Sequence, residues 1–297
     1  MSLRSTNLAL LIDVGNSRIK WTLADLSQVH WQPIQLTASA NHTTIGVTDL
    51  SIFPSKDVAA WQAALHTQLQ SITPAVIFIS HVASQSIRVQ LQTFLQQLAP
   101  TITPQWLQAE TNLDFLINGY ADPSRLGCDR WAALCAAAQL LPGQATLVST
   151  FGTATTLDAL LPSTEGMRFI GGQILPGYQT MLASLHQNTA QLPLADGKLA
   201  DFGLNTNDAI MSGCVAAQLG AFMIQYMRLK QLHGSAPACL LSGGGAQQAA
   251  PLIATTLAQW DKNTHAAVSK VAQVWVHPNL VIEGLFVLAT RSIRSVS

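Results

Sequence analysis

Apolar positions along the chain switch between the period of strands and that of helices, and the switches divide it into elements. From Leu8 the run Leu-Ala-Leu-Leu-Ile is closed by Asp13, a turn follows at Gly15, and Ile19 resumes a β-competent pattern, so two strands joined as a hairpin are predicted. A third strand is expected at Ile45 to Val47. Val58 to Leu69 has helical spacing, Ala75 to Ile79 reads as a short buried strand, and Gln85 to Leu98 as an amphipathic helix stopped by Pro100.

After a polar stretch from Asn112 to Arg125, Asp129 to Leu141 predicts a long helix closed by Pro142-Gly143. The segment Leu147 to Asp158 then repeats the order of features found at Leu10 to Lys20. Each has an apolar strand, a short polar residue, any residue, a Gly, a small hydrogen-bonding residue and a second β-competent run. The repeat suggests the same hairpin at the head of each half; two unrelated Gly turns are the alternative. A strand from Met167 to Leu175, helices at Tyr178 to Gln187 and Asn207 to Leu232, and a buried strand at Ala238 to Leu241 follow. The loop Ser242-Gly-Gly-Gly245, another helix, a strand at Val271 to Val276 and a helix from Asn279 to about Arg291 complete the pattern. Strands followed by strand-helix alternation predict an α/β layer fold. A boundary near residue 117 is expected, giving units 1–117 and 118–297.

Composition narrows the function classes. The 297 residues are 48% hydrophobic and 10% charged, a balance that favours a folded core over disorder. Fifteen basic against 15 acidic residues give zero formal net charge, which removes the basic field that nucleic acid or anionic lipid binding needs. No run reaches the roughly 18 apolar residues of a membrane span, the nearest being Trp131 to Leu141. Cys128, Cys135, Cys214 and Cys239 have neither zinc-ligand nor disulfide-framework spacing, so a reducing cytoplasm is expected.

With charges scarce, the placed ones carry information. Asp13-Val-Gly-Asn-Ser-Arg-Ile-Lys20 puts a carboxylate at a strand end beside a Gly turn. Such a turn can cradle phosphate oxygens on backbone amides, with Asn16 and Ser17 as donors, Asp13 at Mg²⁺ and Lys20 neutralising charge; an ordinary turn has the same residues. Gly152-Thr153 and the hydroxyls around them supply uncharged donors suited to nucleotide phosphates, and Gly243-Gly244 would let backbone lie against a nucleotide; an ordinary Thr-rich strand and a plain helix entry are the alternatives. Gly127-Cys-Asp129-Arg130 opens an Ala-rich helix with two adjacent charges, which reads as a base beside an anion clamp; a helix cap is the alternative for Asp129. His81 is expected to be a satisfied structural histidine, Trp21, Trp61, Trp131 and Trp260 core residues, and Glu283 a cap or surface residue.

Taken together, Asp13–Lys20, Tyr120–Trp131, Gly152–Asp158, Gly171–Gly177, Asn188–Pro193, Ser212-Gly213 and Ser242–Gly245 resemble the type III pantothenate kinases, relatives of acetate kinase, sugar kinases, actin and the Hsp70 ATPase domain. The resemblance implies two RNase-H-like domains with the active site in the cleft, and transfer of the ATP γ-phosphoryl group to pantothenate at the start of coenzyme A synthesis. It assigns Asp13 to Mg²⁺, Gly15, Asn16, Ser17 and Lys20 to phosphate, and Asp129 to general base. Arg130 is assigned to the pantothenate carboxylate, and Tyr120, Gly127 and Thr189 to the pantothenate pocket, with Thr189 reaching into the neighbouring subunit of a homodimer. Thr150 stands where most members carry an Asp tied to a monovalent cation, potassium or ammonium, so at most a weak cation site is expected there. Cys128 replaces a small or aliphatic residue and reads as a small hydrophobe. Some members of the family are accessory factors for transcription, the alternative to a kinase.

Overall fold

In a computed structural model of the chain, residues 3–4, 7–27, 50–70, 72–263 and 273–294 are described. By contacts they divide into two compact units, one running to Pro142 and including the C-terminal segment from Asn279, the other spanning Gly143–Pro278. The division thus falls after Pro142 and not near 117, and the Ala-rich helix packs on the terminal helix within the first unit.

The first unit contains β1 (Leu8–Val14), β2 (Arg18–Asp25), β3 (Ser51–Pro54), α1 (Val58–Leu69), β4 (Val76–His81), α2 (Gln85–Leu98), β5 (Gln105–Trp106) and α3 (Cys128–Leu140). The strand order is β3-β2-β1-β4-β5, with antiparallel pairs up to β1 and parallel pairs beyond it. β1 is central and apolar on both faces: Leu10, Ile12 and Val14 pack with Trp61 and Leu65 of α1 and Leu91 and Leu95 of α2, all fully buried. Each such side chain contributes about 1.5–3 kcal/mol on leaving water. The boundaries of α1 and α2 fall where the periodicity ends. The strand expected at Ile45 to Val47 lies outside the described residues.

The second unit holds β6 (Thr146–Phe151), β7 (Ala154–Ser163), β8 (Gly166–Pro176), α4 (Tyr178–Asn188), α5 (Thr206–His233), β9 (Ala238–Ser242), α6 (Ala246–Asn263) and β10 (Val274–Val276). Its strands run β8-β7-β6-β9-β10, with antiparallel pairs up to β6 and parallel pairs beyond it, as in the first unit. The internal repeat extends to register: Asp13 lies opposite Lys20 and Ser80, and Thr150 lies opposite Thr156 and Ser242. This is the expected α/β arrangement of two RNase-H-like units.

α5 corrects one expectation. At 28 residues, with a stretch of mean hydropathy 1.3, it is long and apolar enough to cross a membrane by length and composition. Its buried Phe222, Met223, Tyr226 and Leu229 pack with strands β6 and β7, so that face of the helix serves the core. Trp260, expected in the core, is 41% exposed on α6.

The terminal helix α7 (Leu280–Arg294) belongs to the first unit and lies against α3. A Cβ at Gly284 would stand 1.8 Å from the Ala132 carbonyl oxygen, so glycine is what lets the two helix backbones approach. This crossing holds the base of α3, whose N-terminus carries Asp129.

Candidate active site

Asp13 occupies the next-to-last position of β1, between Lys20 on β2 and Ser80 on β4. Burial pushes its carboxyl up to about 7; Lys20 pulls it back, the charge of Asp129 pushes it further, and a Ser80 hydrogen bond favours the ionised form. A carboxylate this costly to ionise is one that a bound cation would stabilise. Among the described residues no group of three His, Cys, Asp or Glu side chains could form an all-protein metal cage. A single buried carboxylate at a strand end could instead serve Mg²⁺, which keeps waters and takes few protein ligands.

The turn after β1 is closed by the Gly15 N–H donating to the Arg18 carbonyl at 2.9 Å, leaving Asn16 and Ser17 exposed at its tip. Ser55, fully buried just beyond β3, was not singled out from the sequence. Its hydroxyl donates to the Gly15 carbonyl at 2.7 Å and its N–H to the Ser17 carbonyl at 3.1 Å.

α3 begins at Gly127, its N-cap, with Asp129 in the first turn. Asp129 Oδ1 accepts the Arg130 N–H at 2.8 Å. Burial raises the Asp129 pKa above the usual carboxylate range, while the Arg130 N–H and guanidinium oppose that rise. A helix N-terminus favours an anion here, and a raised pKa suits a group that must accept a proton. Arg130 is buried, 7% exposed, and donates from Nη1 to the Tyr120 hydroxyl at 2.8 Å. Tyr120 in turn is fixed through its N–H to Asn118 Oδ1 at 3.1 Å. Asn118, buried and bonded to the Glu110 carbonyl, is a further support that the sequence did not reveal.

Cys128 is more than a small hydrophobe. Its Sγ accepts the His81 N–H at 3.2 Å, faces the His81 carbonyl at 3.4 Å and lies 3.6 Å from Ser80 Oγ. It therefore ties the start of α3 to the end of β4, next to Asp13; burial keeps it a thiol. His81 Nε2, expected to be satisfied, has no hydrogen-bond partner among the described residues, and its ring meets Trp106 edge-on with centroids 5.7 Å apart.

In the second unit Thr150 lies at the end of β6, followed by Gly152 and Thr153 in the hairpin tip. The Gly152 N–H donates to the Ala154 carbonyl at 3.0 Å. The Thr153 carbonyl accepts twice, from the Gly177 N–H at 2.9 Å and the Thr180 hydroxyl at 2.7 Å. Gly243 (φ +87°) and Gly244 form the loop after β9, pinned where the Gly245 N–H meets the Phe151 carbonyl at 3.0 Å. Thr189 is exposed at the end of α4, and its hydroxyl bonds the Leu185 carbonyl at 2.7 Å. The structure thus brings Asp13, Lys20, Asp129, Arg130 and Tyr120 into one unit. It places Thr150, Gly152, Thr153, Gly243, Gly244 and Thr189 in the other, with Thr189 away from the two glycine loops in sequence and at a helix end.

Glu283, expected at the surface or as a cap, is fully buried in α7, and burial pushes its carboxyl up to about 8. The free residue titrates at 4.5, so stability is fully present below that value and is lost as pH rises through about 8. Glu283→Gln is expected to match the parent in thermal unfolding near pH about 5 and to exceed it by several degrees above about 8. Equal melting temperatures at the higher pH would show that the carboxyl is not held protonated.

A sequence model of the family described as type III pantothenate kinase matches residues 9–228. The chain belongs to the type III pantothenate kinase family. Curated relatives with that name include a Cupriavidus pinatubonensis protein 35% identical over 294 residues, covering 95% of this chain and 98% of the relative. A Bordetella pertussis protein of the same name is 34% identical over 295 residues, covering 96% and 98%. Among solved structures, a candidate 2-dehydro-3-deoxygalactonokinase from Sinorhizobium meliloti is 14% identical with a TM-score of 0.52, covering 96% of this chain and 99% of that one. A candidate Baf family transcriptional activator from Campylobacter jejuni is 18% identical with a TM-score of 0.50 and the same coverage. At these identities the two structures establish the fold of the kinase family member and nothing of its substrate.

Proposed function

We propose that this pantothenate kinase moves the ATP γ-phosphoryl group to the primary hydroxyl of pantothenate, with Asp129 as general base. The observation that carries the reading is the pairing, at one helix N-terminus, of a carboxylate whose pKa is raised by burial with a buried arginine oriented by Tyr120. An arginine so fixed can hold the substrate carboxylate while Asp129 takes the proton from its hydroxyl. Gly127 and Tyr120 belong to the same substrate pocket in this reading.

Asp13 would hold Mg²⁺ through phosphate oxygens or waters, and Lys20, Gly15, Asn16 and Ser17 would take phosphate. The metal, when bound, supplies neutralisation of the charge on the transferring phosphoryl group. Gly152, Thr153, Gly243 and Gly244 would receive the rest of the nucleotide on uncharged donors. Thr150 offers a hydroxyl and backbone carbonyls where a carboxylate would bind potassium or ammonium more tightly, so cation dependence should be weak. Desolvated charges at Asp13 and Asp129 support catalysis over a non-catalytic role in transcription, since a scaffold gains nothing from their cost.

A homodimer is part of the proposal, with Thr189 completing the partner's pantothenate pocket. Its support is the apolar strap after α4, where Leu194, Phe202 and Leu204 are 61%, 86% and 95% exposed, a patch that a second subunit would cover. Four free cysteines fit a cytoplasmic enzyme. The expected result is ADP release from Mg²⁺-ATP that requires pantothenate and changes little between sodium and potassium buffers. Release that is independent of pantothenate would refute the substrate, and strict potassium dependence the reading of Thr150.

A further inference from the structure

We propose that Ser55 and Thr180 are positioning residues for nucleotide phosphates, each aiming the backbone donors of one glycine turn from outside its hairpin. The two turns are built alike. In each, a hydroxyl from a neighbouring element donates to a carbonyl in the turn at 2.7 Å: Ser55 to Gly15, and Thr180 to Thr153. In each, a backbone N–H adds a second constraint from the same side, Ser55 to the Ser17 carbonyl at 3.1 Å and Gly177 to the Thr153 carbonyl at 2.9 Å.

The consequence follows from peptide planarity. In a trans peptide the C=O and the next N–H point in opposite directions. Drawing the Gly15 carbonyl toward Ser55 therefore turns the Asn16 N–H away from it, and drawing the Thr153 carbonyl toward Thr180 does the same for the Ala154 N–H. The Gly15 and Gly152 N–H groups are already spent on closing their own hairpins. The Asn16 N–H makes no hydrogen bond among the described residues, so in the first turn it is the donor left for an anion. Preorganised backbone donors of this kind bind phosphate without paying for reorientation when it arrives.

Ser55 has no exposed surface and makes its hydroxyl bond to the turn alone, whereas its neighbours Pro54 and Lys56 are exposed. Its burial comes from packing under the turn, which is where a brace must sit. Thr180 achieves the same contact from the first turn of α4, on the surface. Two structurally independent turns share one device, and neither hydroxyl is needed for its strand pairing, which is complete in the backbone.

The inference rests on the reading that both turns receive phosphates of ATP, and the experiment separates the two. Wild type, Ser55→Ala, Ser55→Thr, Thr180→Ala and Thr180→Ser are compared by ATP and pantothenate saturation kinetics, with Mg²⁺-ADP binding measured directly by calorimetry. Each alanine variant should raise KM for ATP and the ADP dissociation constant about 3- to 10-fold, the net worth of one hydrogen bond. KM for pantothenate should stay unchanged, and the hydroxyl-bearing replacements should restore nucleotide affinity. Should Ser55→Ala fail to fold, Thr180→Ala carries the test, since its side chain is on the surface. Alanine variants with wild-type KM for ATP, or equal rises in both KM values, would overturn the proposal. A wild type that binds no Mg²⁺-ADP would overturn the underlying reading instead.

Discussion

Asp129→Asn is expected to lower kcat by about 10²–10⁴-fold, the range for loss of a general base. The substitution keeps size and hydrogen-bonding capacity: the amide oxygen can still accept the Arg130 N–H that Oδ1 accepts at 2.8 Å, so α3 should keep its first turn. What it removes is the ability to take a proton. In the parent, burial raises the carboxyl's affinity for that proton, and the Arg130 N–H and guanidinium oppose the rise. KM for ATP and for pantothenate should move little, because neither recognition relies on the acidity of this group. Steady-state kinetics with a thermal melt of the same sample check it. A folded Asn variant within about tenfold of the parent would remove Asp129 from the chemistry.

Gly243→Ala is expected to weaken nucleotide binding strongly. The residue has φ +87°, where a side chain costs about 1–2 kcal/mol. A Cβ would also meet the Phe151 carbonyl oxygen at 2.4 Å, and backbone cannot yield as a flexible side chain does. That carbonyl accepts the Gly245 N–H at 3.0 Å and immediately precedes Gly152, so relief of the clash must move either the glycine loop or the hairpin tip at Gly152. KM for ATP should rise at least about tenfold, with a melting temperature several degrees lower. An unchanged KM with a normal melt would show that neither loop meets the nucleotide.

Much of the fold was legible because its information is local. Val58 to Leu69 and Gln85 to Leu98 carry complete helical periods between polar or proline stops, and both helices end where those stops stand. The hairpin repeat was legible from Gly15 and Gly152, since a turn's residue types are short-range chemistry. The burial of singled-out charges was legible in the same way: Asp13 and Asp129-Arg130 are unusual charges in apolar neighbourhoods. The parts that escaped depend on pairing between distant segments. Ser80 stands beside Asp13 because β4 pairs parallel to β1 across more than sixty intervening residues. Ser55 and Cys128 act through contacts to Gly15 and His81 that no spacing rule encodes. Glu283 misled for the same reason: a glutamate in the first turn of a helix usually caps it, and only the packing of α7 on α3 takes it out of solvent.

The central claim is that this site joins the ATP γ-phosphoryl group to pantothenate. Phosphorus NMR of wild-type protein with Mg²⁺-ATP and pantothenate tests it most directly. The account predicts a new phosphomonoester signal growing in step with loss of the γ-phosphate, absent without pantothenate and nearly absent with Asp129→Asn. Release of inorganic phosphate with no phosphomonoester, or the same product from the Asn variant at the parent's rate, would contradict it.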